Sequence, residues 1–253
     1  MNSILTTYRH ALSLLQRNFW ALFAVTALIQ LPATILSGVH ASMPHRNGAY
    51  LPVFLFGLLL YPICEAASFS LLNRSSNETR WVEVVYRGVV SYTRPLVRVQ
   101  LNEFALELVI SAPFFFLFSS KHFQNSSVLM VVMVLAKLIS NSKLSPGEAA
   151  VVREKCSGKI AVKRAWNMTS GRRFWYVAGC LVLWSSLSYV GYHATAVFGE
   201  RRTEVVIVQG ILDSVLGTVE TVVTWCIYSH LLLLEAHPNE IARTDAADSL
   251  PIG

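Results

Sequence analysis

The sequence predicts an all-α, polytopic membrane protein: six transmembrane helices with three amphipathic interfacial helices, in a pseudo-threefold helix-hairpin repeat. Three observations predict it. The 253 residues are 53% hydrophobic and only 14% charged, against about 25% charged in a soluble domain. Long apolar stretches recur, and about 20 such residues cross a ~30 Å hydrocarbon core as a helix. Short basic segments with helical periodicity stand in front of every second stretch.

A single integral membrane domain fills 1–253, with spans expected at 19–39, 51–72, 99–118, 128–152, 174–198 and 205–234. In lipid, backbone groups must be satisfied within the segment, and the residue alternation of a barrel is absent, so the spans are helices. The first apolar run is too long for a signal-peptide core and is expected to serve as an uncleaved insertion signal. The fourth span is irregular. Its hydropathy falls after Ile139, leaving about twelve apolar residues, too few to cross. Ser140, Asn141, Ser142 and Lys143 then precede Pro146-Gly147. The expectation is a longer, broken or water-exposed helix, kinked near Pro146 because proline removes an intrahelical hydrogen bond. Pro32 and Pro113 are placed to kink the first and third spans likewise.

The interfacial helices are expected at 3–17, 81–94 and 159–170. In the first, Ile4, Leu5, Tyr8, Ala11, Leu12 and Leu15 share one face, while Arg9, His10, Ser13, Gln16 and Arg17 lie elsewhere. That pattern is amphipathic and too polar to span, and it suits a helix lying in the headgroup plane. The third sets Ala161, Val162, Ala165 and Trp166 against Lys159, Lys163 and Arg164; the second sets Trp81, Val82, Val85, Val89 and Tyr92 against Glu83 and Arg87. RHALSLLQRNFW (9–20) and RAWNMTSGRRFW (164–175) have one form: an Arg at each end of a polar segment, then Phe-Trp, then an apolar run. Arg9, Arg17, Lys163, Arg164, Arg172 and Arg173 are candidate lipid-headgroup contacts. Trp20 and Trp175 are candidate interface anchors, since amphipathic rings are enriched at that depth. The motif is expected to mark a junction where a helix on the membrane turns into one that crosses it.

Charge asymmetry sets the expected orientation. One side, with Lys143, holds sixteen of the twenty-one Lys and Arg residues; Arg46, Lys121, Arg201 and Arg202 fall on the other, and Lys137 lies within the fourth span. The positive-inside rule then places both termini in the cytoplasm, in the plasma membrane or an endomembrane if the cell is eukaryotic. Of the glycosylation sequons, only Asn125-Ser-Ser faces away from the cytoplasm.

The net charge of +6 sits beside apolar runs, so anionic lipid headgroups are the expected partner and nucleic acid is not. Cys64, Cys156, Cys180 and Cys226 form no CxxC pair, which supports neither a zinc site nor a disulfide framework. No GxSxG, HExxH, P-loop or GxGxxG motif occurs. His40 and His45 share a short outer loop whose spacing does not favour a metal. No cofactor, metal or catalytic residue is expected, and the chain reads as non-enzymatic.

Ionisable residues inside spans are costly, by at least ~2.5 kcal/mol at the centre, and usually face the bundle interior or water. Glu103 and Glu107 share a face of the third span, with Gln100 near it; Asp213 and Glu220 share a face of the sixth; Lys137 lies in the fourth. These five form a candidate intramembrane polar cluster, with Lys137 expected to pair with one of the four acids. Pro62-Ile-Cys-Glu-Ala-Ala resembles Pro146-Gly-Glu-Ala-Ala near the ends of two return spans, and Glu220 is the third counterpart.

The stretch EAAVVREKCSGKIAVKRAWNMTSGRRFW (148–175) resembles a family of six-pass membrane proteins of bacteria and plants, related to the membrane domain of glycerophosphoryl diester phosphodiesterases. The places of the family pattern are taken here by Glu154, Gly158, Ala161, Lys163, Arg164, Gly171, Arg172, Arg173 and Trp175, with Trp166 near the usual Ser. Pro62 to Leu72 and Trp225 to Leu232 are similar to the family's second and sixth spans. The resemblance implies a six-pass fold and a fourth helix that continues to about Val152. It implies no phosphodiesterase activity, which belongs to a separate soluble domain of the fused relatives. The expected function is a lipid-interacting or membrane-organising role at the cytoplasmic leaflet; the alternative is a transporter or channel using the intramembrane acids.

Overall fold

The structure, a computed structural model, describes residues 2–41, 50–74, 80–118, 127–196 and 203–236. Every element among them is helical: α1 (Asn2–Ala41), α2 (Tyr50–Leu72), α3 (Trp81–Phe118), α4 (Ser127–Arg153), α5 (Gly158–Met168), α6 (Arg172–Ala196) and α7 (Thr203–Ala236). The residues around Arg46, Lys121, Asn125 and Arg201, expected in outer loops, and the side chains of His40 and His45 lie outside the residues so described.

Two helical stretches, Ser3–Pro32 and Ile207–Ala236, are long and apolar enough to cross a membrane by length and composition, and Leu60–Leu72 is a shorter apolar one. The other helices do not meet that test among the described residues. Their sequences account for this: α3 carries Arg98, Glu103 and Glu107, and α4 carries Lys137 and the polar run from Ser140 to Lys143.

The core is built on small residues. Ala66, Ala67 and Ser68 of α2, Ala149 and Ala150 of α4, and Ala161 and Ala165 of α5 are buried. They let backbones approach closely, which is how helices associate where lipid offers no hydrophobic drive. Larger side chains fill the centre: Phe69, Val151, Ile227, Tyr228 and Leu231 are almost fully buried, and the Phe69 and Trp225 rings stack with centroids 6.0 Å apart. Around this core the outer surface is apolar. Leu28 is 78% exposed, and Val109, Val134, Leu187, Val190 and Ile211 are also exposed. A water-soluble monomer rarely shows so extensive an apolar surface.

Two sequence expectations change here. First, α1 runs unbroken through Arg17 to Trp20, and α3 runs unbroken from Trp81 through Pro95 and Pro113. Only the third basic segment is a separate helix. The reason is local. Residues 17–20 contain no helix breaker, whereas Thr169-Ser170-Gly171 ends α5, with Gly171 at φ 60°, a conformation that suits glycine.

Second, the amphipathic faces dock largely on protein. Ile4, Tyr8, Ala11 and Leu15 pack on the core, leaving Leu5 and Leu12 exposed. Tyr8 Oη donates to the Cys180 carbonyl at 2.8 Å, and Thr7 and Tyr176 hydroxyls meet at 2.5 Å. In α5 the buried face is Gly158, Ala161, Ala165 and Met168, while Ile160 and Trp166 point outward. On α3, Val85, Val89 and Tyr92 pack inward while Trp81 and Val82 are exposed. Small side chains on these faces let the partner helices approach closely.

The longer form expected of the fourth helix is the one found: α4 continues as one unbroken helix to Arg153 with Pro146 inside it. Its polar run is buried: Ser140, Ser142, Ser145 and Glu148 all lie inside, and the Ser142 and Ser145 hydroxyls have no hydrogen-bond partner among the described residues.

Candidate functional site

Two groups of polar side chains occupy the bundle, one inside and one at its basic end. The inner group gathers carboxyls from four helices. Glu65 of α2 and Glu148 of α4 are 5% and 4% exposed, and their carboxyls are close neighbours. The Gln100 amide donates to Glu65 Oε2 at 2.8 Å. Glu103 of α3 and Glu220 of α7 are electrostatic neighbours of Glu148. One Glu103 carboxyl oxygen is buried with no hydrogen-bond partner among the described residues. No group of three or more metal-ligating side chains forms among the described residues.

The expected cluster is thus divided. Glu103 and Glu220 belong to the inner group, and Lys137 attracts both from its exposed place on α4. No carboxylate ion pair within 4.0 Å of Lys137 occurs among the described residues. Glu107 is half-buried one turn beyond Glu103. Asp213 stands apart and is held by Thr34 at 3.3 Å and Gln209 at 3.0 Å. Glu65 and Glu148, the most buried of these acids, are absent from the expected cluster. The signal for them is present in the paired motifs Pro62-Ile-Cys-Glu-Ala-Ala and Pro146-Gly-Glu-Ala-Ala, where each acid opens a small-residue pair.

At the basic end, several cations are consumed by the fold. Arg164 of α5 donates to Glu235 of α7 and to Glu154, which also meets Tyr228 Oη. Glu235 beside it, more than burial opposes, pushes the Arg164 guanidinium above its usual range. Arg173 donates to the Leu234 carbonyl at 3.2 Å, satisfying a helix-end acceptor of α7. Lys143 donates to the Thr169 carbonyl at 2.9 Å and lies 5.0 Å from the Trp166 ring centre. Arg153 meets Ser229 and lies over the Trp225 ring.

Of the six expected headgroup contacts, Arg164 and Arg173 are therefore engaged in joining helices. Arg9, Arg17, Lys163 and Arg172 are exposed. Trp20 is 78% exposed and Trp175 is 74% exposed, each against its neighbouring Phe ring at 5.2 Å. Two concavities open at this end. One, of about 360 Å³, is bordered by Arg74, Arg87 and Lys155; the other, of about 170 Å³, lies between α3 and α5. No family model, curated protein or solved structure matches the chain.

Proposed function

We propose that this chain is a non-enzymatic, multi-pass integral membrane protein with both termini in the cytoplasm, and that it binds and organises anionic lipid at the cytoplasmic leaflet. The six spans and the threefold hairpin repeat belong to this reading. The observation that carries it is the border of the apolar surface: Trp20 and Trp175 are both about three-quarters exposed, and exposed Arg17 and Arg172 stand three residues before them. An indole at headgroup depth with a guanidinium just beyond it is the arrangement expected at the inner boundary of a bilayer.

The test is stability of the full-length protein in nanodiscs of phosphatidylglycerol or phosphatidylcholine. Phosphatidylglycerol should raise the melting temperature, and the fourfold variant Arg9→Gln, Arg17→Gln, Lys163→Gln, Arg172→Gln should lose most of that gain, at about 1 kcal/mol per cation near the surface. Equal stability of the wild type in both lipids rejects the reading.

A second reading, a proton or cation carrier, is favoured by the meeting of Glu65, Glu148, Glu103 and Glu220 from four different helices. Buried ionisable side chains in membranes often mark ion paths. Flux in proteoliposomes that disappears on Glu148→Gln, with the fold intact, selects this reading; absence of flux in the wild type removes it.

A further inference from the structure

The notch between α3 and α5 is lined by Arg98, Leu101, Asn102, Lys159 and Val162, with a volume of about 170 Å³. Its walls meet because α5 begins against α3: a Cβ on Gly158 would lie 2.8 Å from Arg98 Cβ and closer still to the Pro95 carbonyl oxygen. That approach places Lys159, the next residue, beside Arg98. Both cations are exposed, and among the described residues the lining contains no carboxylate. Asn102 is turned back on its own helix, its amide donating to the Arg98 carbonyl at 2.6 Å. Two like charges share a concavity with no counter-charge among its described lining residues, an arrangement that an anion relieves.

What lies along α3 from the notch identifies the kind of anion. Residues at i+3, i+7, i+10 and i+11 from Arg98 continue its helix face. They are Leu101, Ala105, Leu108 and Val109, and all four are exposed; Leu101 is 46%, Leu108 47% and Val109 69% exposed. The apolar lane starts at the two cations and runs towards the far end of α3, where the chain would enter the bilayer. A free phosphate would use the notch and leave the lane unused. An anionic phospholipid uses both.

We propose that the α3–α5 notch is a specific anionic-phospholipid site, with Arg98 and Lys159 on the phosphate-bearing headgroup and Leu101, Leu108 and Val109 along an acyl chain. The proposal rests on the lipid-binding reading above and gives it a site distinct from the exposed arginines of α1 and α6. Arg98 and Lys159 are set on two helices fixed to each other at Gly158, so the spacing of the cations is built by the fold. A flexible basic tail would attract anionic lipid without discriminating where on the protein it sits.

Native mass spectrometry of the detergent-solubilised full chain resolves individual lipid-binding events and tests this. Phosphatidylglycerol and phosphatidylcholine are titrated separately. In the wild type the first phosphatidylglycerol should bind more tightly than phosphatidylcholine. The Arg98→Gln/Lys159→Gln variant should weaken that first event by roughly thirtyfold, from two surface cations, with phosphatidylcholine unchanged. Arg9→Gln/Arg17→Gln should leave the first event within about twofold of wild type, an allowance of a few tenths of a kcal/mol.

Leu101→Gln, which keeps both cations, provides the second arm. It should weaken phosphatidylglycerol but leave any competition by inorganic phosphate unaltered. If the first phosphatidylglycerol binds Arg98→Gln/Lys159→Gln as it binds wild type, the notch proposal is overturned while the lipid reading stands. If the wild type does not distinguish the two lipids, both are overturned. If inorganic phosphate displaces phosphatidylglycerol and Leu101→Gln has no effect, the notch is a free-anion site and the phospholipid proposal fails.

Discussion

Arg164 on α5 makes two hydrogen bonds to the Glu235 carboxylate at the end of α7, at 2.8 and 2.5 Å, across 71 residues of sequence. The same guanidinium reaches Glu154 at 3.2 Å, just beyond the end of α4. One side chain thus ties α5 to the ends of α4 and α7. The paired geometry is the favourable one for Arg and carboxylate. Both side chains remain about a third exposed, so solvent screens the attraction.

A double-mutant cycle on Arg164→Gln and Glu235→Gln is therefore expected to give a coupling of about 1 kcal/mol, the upper end for exposed pairs. Thermal unfolding of the detergent-solubilised protein reads it. The reversed pair Arg164→Glu/Glu235→Arg should recover only part of the loss, because the carboxylate introduced on α5 would then face Glu154. A coupling indistinguishable from zero would show that the pair is incidental to stability.

Two glycines separate backbone strain from packing. Gly171 has φ 60° and nothing within 4 Å of a Cβ built there. Gly171→Ala should cost about 1 kcal/mol, all of it conformational, and Gly171→Asn should cost less. Gly88 instead packs on Ser70, where an added Cβ overlaps the hydroxyl and sits 3.0 Å from the Ala66 carbonyl oxygen. Gly88→Leu should cost about 1–3 kcal/mol by overpacking and should loosen α2 from α3. Equal costs at the two positions would contradict this division.

Cys156 is half-buried, and its Sγ–H donates to the Ala150 carbonyl at 3.6 Å. Burial first, and Glu154 second, push the thiol up from its ordinary value. A raised thiol keeps its proton where a free one, at roughly 8.5, has begun to lose it. Alkylation of Cys156 by iodoacetamide, followed by peptide mapping, should be slower than that of a model thiol at about pH 8.5, the free-thiol value. Its rate should keep rising at pH values where the model thiol has levelled. The same sign makes Cys156 a small source of stability below the free-thiol value, lost as pH rises through the folded one. A rate profile overlapping the model thiol would refute the shift.

Tryptophan exposure predicts a depth pattern. Trp20 and Trp175 are the most exposed of the six, and Trp184 and Trp225 are buried at 7% and 6%. With single-Trp variants in bilayers of brominated lipids, Trp20 and Trp175 should be quenched most by bromines near the headgroup. Trp184 and Trp225 should be quenched little at any depth. Deep quenching of Trp20 would move the boundary of the bilayer along α1.

Much of the helical architecture is legible in the primary structure because its causes are local. Low charge, apolar run length and the absence of strand alternation point to helices wherever the backbone has only itself to bond to. The breaker at Thr169-Ser170-Gly171 can be read in the same way, as can the need for α4 to pass Pro146. Which face each helix shows to its neighbours is not local. Ala161 and Ala165 read as the weak apolar side of a surface helix, yet they are the contact of α5 with the bundle, because a small-residue face gains most from backbone proximity. Arg164 and Arg173 read as headgroup contacts for the same reason that any flanking cation does. Only the arrival of Glu235 and the Leu234 carbonyl, more than sixty residues later, assigns them to the fold. The meeting of Glu65 with Glu148 is of the same kind. Composition determined what solvent these helices suit; side-chain complementarity between distant segments, which no window of sequence contains, decided where their charges go.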